Sequence, residues 1–264
     1  MTPRKTILIF DSGLGGLTVH REVAAVRPDA DFLYVADDAG FPYGSRKAPD
    51  LVERVAGLIG ELIAAHAPDL VVIACNTAST IVLPDLRKKF TLPFVGTVPA
   101  IKPACAASVT RQVSVLGTEA TVKREYTRAL IRDYAQDCQV TLVGSKHLAA
   151  YAEAELGGSA VGDTEISAEI APCFRHDDGK RTDTIVLACT HYPLLLGRFR
   201  RLAPWPVNFI DPAPAIARRV VGLLGPAPGG SEAGKTRAFF TSGRPGTAAL
   251  ALIEHRFDTA PVSP

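Results

Sequence analysis

Apolar residues in this chain come in short runs separated by longer amphipathic stretches. Residues 6–10, 31–35, 70–74, 94–95, 112–116, 139–143, 184–188 and 207–210 are β-favouring runs and read as strands. Between the second and third of these, Leu51, Val55, Leu58, Ile59, Leu62 and Ile63 recur at helical spacing, marking one apolar face of a helix packed on a sheet. Strands that alternate with helices predict a mainly parallel sheet and an α/β fold. Residues 225–230 are rich in Pro and Gly and read as a linker. After them, residues 237–241 and 247–257 are expected as a last strand and helix, with a frayed end beyond.

A weak internal repeat adds to this picture. Asp69-Leu70-Val71-Val72-Ile73-Ala74-Cys75 can be laid on Asp183-Thr184-Ile185-Val186-Leu187-Ala188-Cys189, the same interval separating the two Asp and the two Cys residues. Ile7-Leu8-Ile9-Phe10-Asp11-Ser12 and Val113-Ser114-Val115-Leu116-Gly117-Thr118 match more loosely, each a strand followed by a small, polar turn. Two similar α/β halves follow from the duplication. In open parallel sheets ligands sit beyond the carboxyl ends of the strands, so equivalent strand ends in facing halves are expected to line one shared cleft.

Composition narrows the class. With 264 residues, the chain can bury the core of one large or two modest domains. Hydrophobic residues at 47% and charged residues at 21% exclude a disordered chain, and a net charge of +2 gives no electrostatic reason for a nucleic-acid partner. The N-terminal residues lead straight into the first strand without a signal-like apolar region. No stretch reaches the roughly 20 apolar residues of a membrane-spanning helix, so a cytoplasmic location is expected. Five cysteines at wide spacings, with no Cys-x-x-Cys pair, argue against a disulfide framework or a structural zinc site.

Two of those thiols stand out. Cys75 precedes Asn76-Thr77-Ala78-Ser79-Thr80, and Cys189 precedes Thr190-His191-Tyr192-Pro193; both follow a buried-type strand at the expected start of a helix. A helix N-terminus favours anions, including a thiolate, and its amides offer donors to a substrate carboxylate. Cys105, Cys138 and Cys173 lack that context and are expected to be ordinary buried thiols. Asp11-Ser12-Gly13-Leu14-Gly15-Gly16 ends the first strand, but it has neither the Lys-Ser/Thr of a P-loop nor dinucleotide spacing. Asp11 is therefore read as a polar group at the cleft, with a helix N-cap as its bland alternative. His191 has no companion at ligand spacing, so no metal site is expected, and a proton-shuttling role beside a thiol suits its ordinary pKa. Tyr43 sits in a Phe41-Pro42-Tyr43-Gly44 turn and is either a site residue or packing. Arg218 and Arg219 read as a solvated or interdomain helix face.

A thiol pair at equivalent strand ends suits the removal of a Cα proton on one face and its return on the other, a two-base racemization. No lysine stands where a pyridoxal phosphate Schiff base would need it, so no cofactor is expected. Three other readings remain open from the residues alone. They are a two-cysteine racemase or isomerase of aspartate, another amino acid or a dicarboxylate, a cysteine hydrolase using Cys189 and His191, and a silent amino-acid-binding module.

Taken in order, the Asp11-Ser12-Gly13-x-Gly15-Gly16 start, Pro42-Tyr43-Gly44, Ala74-Cys75-Asn76-Thr77-Ala78-Ser79, Gly117-Thr118 with Thr121-Val122, and Cys189-Thr190-His191-Tyr192-Pro193-Leu194 resemble glutamate racemase, of the aspartate/glutamate racemase superfamily. The resemblance runs to about Leu224 and carries no functional residue into the tail beyond it. It implies two pseudo-symmetric domains, residues 1–97 plus 208–264 and residues 98–207, with glutamate in the cleft between them. It makes Cys75 and Cys189 the bases for the D and L enantiomers, and Asp11 and His191 their assistants. Ser12, Tyr43, Gly44, Asn76, Thr77, Thr118, Thr121 and Thr190 become substrate contacts, joined by Asp11 and His191. D-glutamate for bacterial peptidoglycan is the implied product. Val98-Pro99-Ala100-Ile101-Lys102-Pro103-Ala104 is similar to an enteric branch whose members can depend on UDP-N-acetylmuramoyl-alanine as activator. Other branches form homodimers of differing geometry.

Overall fold

The computed structural model describes residues 4–230 and 232–243, so the helix expected over 247–257 lies outside the described residues. Along the chain the strands are β1 (Thr6–Asp11), β2 (Asp31–Ala36), β3 (Leu70–Ile73), β4 (Phe94–Gly96), β5 (Gln112–Thr118), β6 (Gln139–Ser145), β7 (His176–Asp177), β8 (Lys180–Arg181), β9 (Thr184–Ala188), β10 (Asn208–Ile210) and β11 (Thr236–Phe240). The α-helices are α1 (Leu17–Val26), α2 (Ala48–His66), α3 (Asn76–Lys89), α4 (Ile101–Ala107), α5 (Glu119–Val122), α6 (Glu125–Tyr134), α7 (Leu148–Leu156), α8 (Asp163–Ile170), α9 (Leu196–Leu202) and α10 (Ala213–Leu224). None of the described helices is long and apolar enough to cross a membrane.

The chain divides into two compact units. One holds the described residues up to Thr97 and from Ala213 onward, and the other is Val98–Pro212. The first is built on a sheet of order β11-β2-β1-β3-β4 and the second on β10-β9-β5-β6, with every neighbouring pair parallel. Taken from its other edge, the second sheet runs β6-β5-β9-β10, which repeats β2-β1-β3-β4. The register repeats too: Ile7 stands opposite Leu70 in one unit, and Val113 opposite Thr184 in the other. These are the pairs that the two internal sequence repeats align.

An equivalent carboxylate stands beside the paired strands in each unit. The Asp69 N–H donates to the Thr6 carbonyl at 2.8 Å, and its side chain accepts from the Thr6 N–H at 2.8 Å and from Lys5 Nζ at 2.7 Å. Asp183 donates its N–H to the Gln112 carbonyl at 3.2 Å. Its carboxylate accepts from Ser108 Oγ, the Val109 N–H and the Thr110 N–H at 2.6, 2.7 and 2.9 Å. In each unit, then, one Asp at the mouth of a strand ties down the entry to the strand beside it.

Sheet residues Leu8, Phe10, Leu33, Val35, Val71 and Ile73 pack against Leu51, Val55 and Ile59 of α2, with Leu58, Leu62 and Ile63 partly buried at the same contact. The predicted apolar face of that helix is thus the one that meets the sheet, and each such side chain, fully buried, contributes about 1.5–3 kcal/mol. The helix ends where Ala67 turns left-handed at φ 42°, just before Pro68. On α10, Ile216, Ala217 and Val220 are buried while Arg218 and Arg219 face outward, as expected of a solvated face.

Two elements depart from expectation. Asn208–Ile210 pairs in register with Thr184–Val186, so this strand stays with the second unit and the chain returns to the first only at Ala213, not at residue 208. A short apolar run at a crossover reads the same as the last strand of one sheet or the first of the next; hydrogen bonding to β9 decides. The antiparallel β7–β8 hairpin turns through Asp178 and Gly179, both at positive φ, the geometry that favours Asp-Gly at two-residue turns.

Replacing Asp183 with Ala removes the acceptor for four donors, Ser108, Val109, Thr110 and Thr184, and an unfolding free energy lower by about 2 kcal/mol is expected. Burial pushes the Asp183 carboxyl up, but its hydrogen bonds from Ser108, Thr110, Thr184 and Val109 hold it below the ordinary value. A carboxyl depressed in the folded state contributes stability above the ordinary carboxylate range and loses it as pH falls through the folded value. Urea unfolding of both proteins at neutral pH and in acid checks this: the gap should be wide at neutral pH and narrow on acidification. Equal midpoints at neutral pH would contradict the clamp.

Candidate active site

Asp11 is the last residue of β1 and Ser12 follows it, while Cys75 follows the carboxyl end of the adjacent β3. Asp11 is fully buried, with Ser12 at 4% and Cys75 at 6% exposure. Ser12 Oγ lies 3.7 Å from Cys75 Sγ and donates to it. Cys75 is the extended N-cap residue of α3, a helix of 14 residues, so its sulfur sits at the positive end of a long helix. Asn76 and Thr77 open that helix and are buried with it. Among the described residues, neither Oδ1 nor Nδ2 of Asn76 has a hydrogen-bond partner. A buried carboxamide left unpaired costs about 1–3 kcal/mol per group, which makes this one a candidate ligand contact.

The glycine loop serves packing. Asp11 Oδ1 accepts the Gly13 N–H at 3.0 Å, and Tyr34 Oη donates to the Gly13 carbonyl at 2.6 Å. A Cβ on Gly16 would lie 2.6 Å from Asp11 Cβ and 3.0 Å from Tyr34 Oη. The N-cap position of α1 belongs to Gly16, which removes the N-cap reading of Asp11.

Tyr43 is buried in a single 3-10 turn, Tyr43–Ser45, that also carries the half-buried Gly44. Its hydroxyl donates to Asp37 Oδ2 at 2.5 Å. Arg54 grips the same carboxylate through Nε at 2.6 Å and Nη2 at 2.5 Å. Burial, the charge of Asp37 and the hydrogen bond to it push the Tyr43 phenol far above its usual value, and the charge of Cys75 adds to the effect. Tyr43 is therefore a neutral phenol close enough to sense that sulfur. Local patterning gave no signal for Asp37 or Arg54; only folding brings them to the tyrosine.

The second unit repeats the arrangement with different chemistry. Thr118 ends β5 beside β9, which leads into Cys189, so Thr118 and Cys189 correspond to Ser12 and Cys75. Thr118 Oγ1 accepts the Thr121 N–H at 3.2 Å and lies 3.0 Å from Thr121 Oγ1, capping α5. Cys189, Thr190 and His191 are all buried. Here the expected helix start is corrected: the chain passes through a 3-10 turn, Tyr192–Leu195, and α9 begins only at Leu196. Pro193 and the packing of Tyr192 and Leu195 into the core hold this turn. A long-helix dipole thus acts on Cys75 but not on Cys189. In its place His191 Nδ1 stands 3.9 Å from Cys189 Sγ, and His191 Nε2 lies 2.7 Å from Glu153 Oε1 on α7. Glu153 carried no signal in the sequence, since nothing in α7 sets it apart from Glu155.

The remaining thiols look different. Burial pushes Cys173 well above the ordinary thiol value; burial and then Cys138 push Cys105 up to about 12, so both stay protonated at neutral pH. Among the described residues, no group of three or more His, Cys, Asp and Glu side chains is placed to hold a metal ion.

The family model described as Asp/Glu/Hydantoin racemase matches residues 18–220. A glutamate racemase of Sinorhizobium medicae is 55% identical over 96% of this chain and 94% of its own length. One of Brucella canis is 54% identical over 96% and 93%. Among solved structures, Escherichia coli glutamate racemase, in complex with L-glutamate and the activator UDP-MurNAc-Ala, superposes with a TM-score of 0.87. It is 40% identical, covering 97% of each chain.

Gly16, the N-cap of α1, and Gly57, inside α2, make a paired test of the loop. Gly16→Ala should destabilise by about 1–3 kcal/mol by driving into Asp11. Gly57→Ala, on the exposed side of α2 where a Cβ meets nothing within 4 Å, should stabilise by about 0.5–1 kcal/mol. Thermal unfolding of the two variants against the parent reads both signs; a neutral Gly16→Ala would remove the packing role.

Proposed function

Because the chain belongs to the Asp/Glu/Hydantoin racemase family and is an amino-acid racemase, we propose that it interconverts L- and D-glutamate without a cofactor, using Cys75 and Cys189 as paired bases. The observation that carries this reading is the equivalent placement of the two thiols, each after the strand that pairs with the first strand of its own unit. The unpartnered carboxamide of Asn76 beside the first thiol supports it.

The Cα proton of glutamate is weakly acidic, and its removal puts negative charge on the α-carboxylate. Hydroxyls of Ser12, Thr77, Thr118, Thr121 and Thr190, the Asn76 amide and the Tyr43–Gly44 turn supply donors for the substrate's carboxylates; donors already in place stabilise that charge as it develops. One sulfur, as thiolate, takes the proton from one face while the other, as thiol, returns a proton to the opposite face. The reaction requires both sulfurs to reach one Cα. In this reading Cys75 serves the D enantiomer and Cys189 the L enantiomer. Asp11 assists beside Cys75, and His191, oriented by Glu153, assists beside Cys189. The cytoplasmic product, D-glutamate, feeds peptidoglycan synthesis, and UDP-N-acetylmuramoyl-alanine is the candidate activator.

Purified protein is given L-glutamate in deuterated water without cofactor, with and without the activator, while D-glutamate and Cα deuterium are followed. Deuterium should accumulate early in D-glutamate and not in the remaining L-glutamate, because each face has its own base. Cys75→Ser and Cys189→Ser should each lower kcat/KM by at least about a thousandfold. Both directions should fall together, since enantiomers have equal free energy. Full activity in Cys75→Ala, or binding of glutamate without exchange, would overturn the mechanism.

A further inference from the structure

The segment after β11 reaches back to the residues that follow β2. The Thr241 N–H donates to the Ala36 carbonyl at 3.1 Å, and Thr241 Oγ1 donates to Asp37 Oδ1 at 2.6 Å. The hydroxyl also accepts the Ala39 N–H at 3.2 Å. Asp37 is fully buried and takes its side-chain donors from Thr241, Arg54 and Tyr43, while its own N–H donates to the Asp11 carbonyl at 2.8 Å. Burial pushes this carboxyl up, but the hydrogen bonds from Arg54, Thr241 and Tyr43 outweigh burial and hold it below its ordinary value. Ionised Asp37 is what fixes the phenol proton of Tyr43.

The carboxylate has little room on the Tyr43 side. A Cβ on Gly40 would lie 2.4 Å from Asp37 Oδ2, 2.9 Å from Arg54 Nε and 2.9 Å from the Tyr43 ring. On the opposite oxygen, Oδ1, the Thr241 hydroxyl and Arg54 Nη2 both donate, at 2.6 and 2.5 Å, so Thr241 shares with Arg54 the task of holding the carboxylate in the plane that leaves Oδ2 for the phenol. We propose that Thr241, in the turn directly after β11, is a positioning residue for the reaction: through Asp37 it holds Tyr43 and the Tyr43–Gly44 turn beside Cys75. This rests on the reading of Tyr43 and Gly44 as glutamate contacts.

Thr241 Oγ1 also lies 3.3 Å from Asp38 Oδ1, and Ser242 provides the control for that contact, since it bonds Asp38 but not Asp37, its N–H at 2.8 Å and its hydroxyl at 2.5 Å. The test measures kcat and KM for both enantiomers, with unfolding temperatures, in the full chain and in Thr241→Val, Thr241→Ser and Ser242→Ala. Thr241→Val should raise KM roughly tenfold, the scale of one lost hydrogen bond to a charged group, with kcat within about twofold of the parent. Thr241→Ser should restore KM, and Ser242→Ala should leave it unchanged. An unchanged KM in Thr241→Val, equal impairment in Thr241→Ser, a matching rise in Ser242→Ala, or loss of the fold in Thr241→Val would each overturn the role. The parent enzyme in the same assay separates the two questions, because an inactive parent overturns the reading of the site and this role with it.

Discussion

Everything in each unit hangs on the pairing of two buried parallel strands, β1 with β3 and β5 with β9, in one register. A parallel pair buried on both faces has no polar side to specify its register, and a slip of one residue would turn every side chain over. Asp69 and Asp183 provide the missing specification from the strand mouths, where their carboxylates are bound by backbone N–H groups. A register fixed at the mouth is transmitted along rigid strands to the far end. There it decides that Ser12 stands beside Cys75 and Thr118 beside Cys189.

From that common frame the two thiols acquire different surroundings. Cys75 has a long helix behind it, a serine hydroxyl on its sulfur, and a neutral tyrosine locked to Asp37 and Arg54. Cys189 has a short 3-10 turn and a histidine backed by Glu153. Duplication preserved the backbone placement, while the groups able to steady or relay charge diverged. An enzyme whose substrates are mirror images need not have mirror-image walls, because the protein itself is chiral.

The sequence was most legible where the physics is local. Strand runs, the apolar face of α2 and the repeated Asp…Cys segment follow from side-chain periodicity, and they lie where the pattern predicted. Asp178-Gly179 also carried a local turn signal, but with only two residues on either side there was no alternation to reveal its strands. What stayed hidden depends on partners distant along the chain. The short strand at Asn208 could belong to either sheet until β9 claimed it. Glu153, Asp37 and Arg54 look like ordinary surface charges on the page, and only the fold presses them against His191 and Tyr43. The helix-start argument held for Cys75 and failed for Cys189, because Thr190-His191-Tyr192-Pro193 does not continue directly into an α-helix.

The position of β11 bears on how such a chain emerges from the ribosome. It is the edge strand of the first sheet, laid on β2, yet the whole of the second unit is synthesised between them. The second unit is continuous in sequence and can close while the first still shows a bare, apolar β2 edge, the kind of edge that invites wrong pairing. The first unit is therefore finished last although it is begun first, and the Thr241 hydroxyl reaches Asp37, the partner of the Tyr43 phenol, only after the second unit has been made.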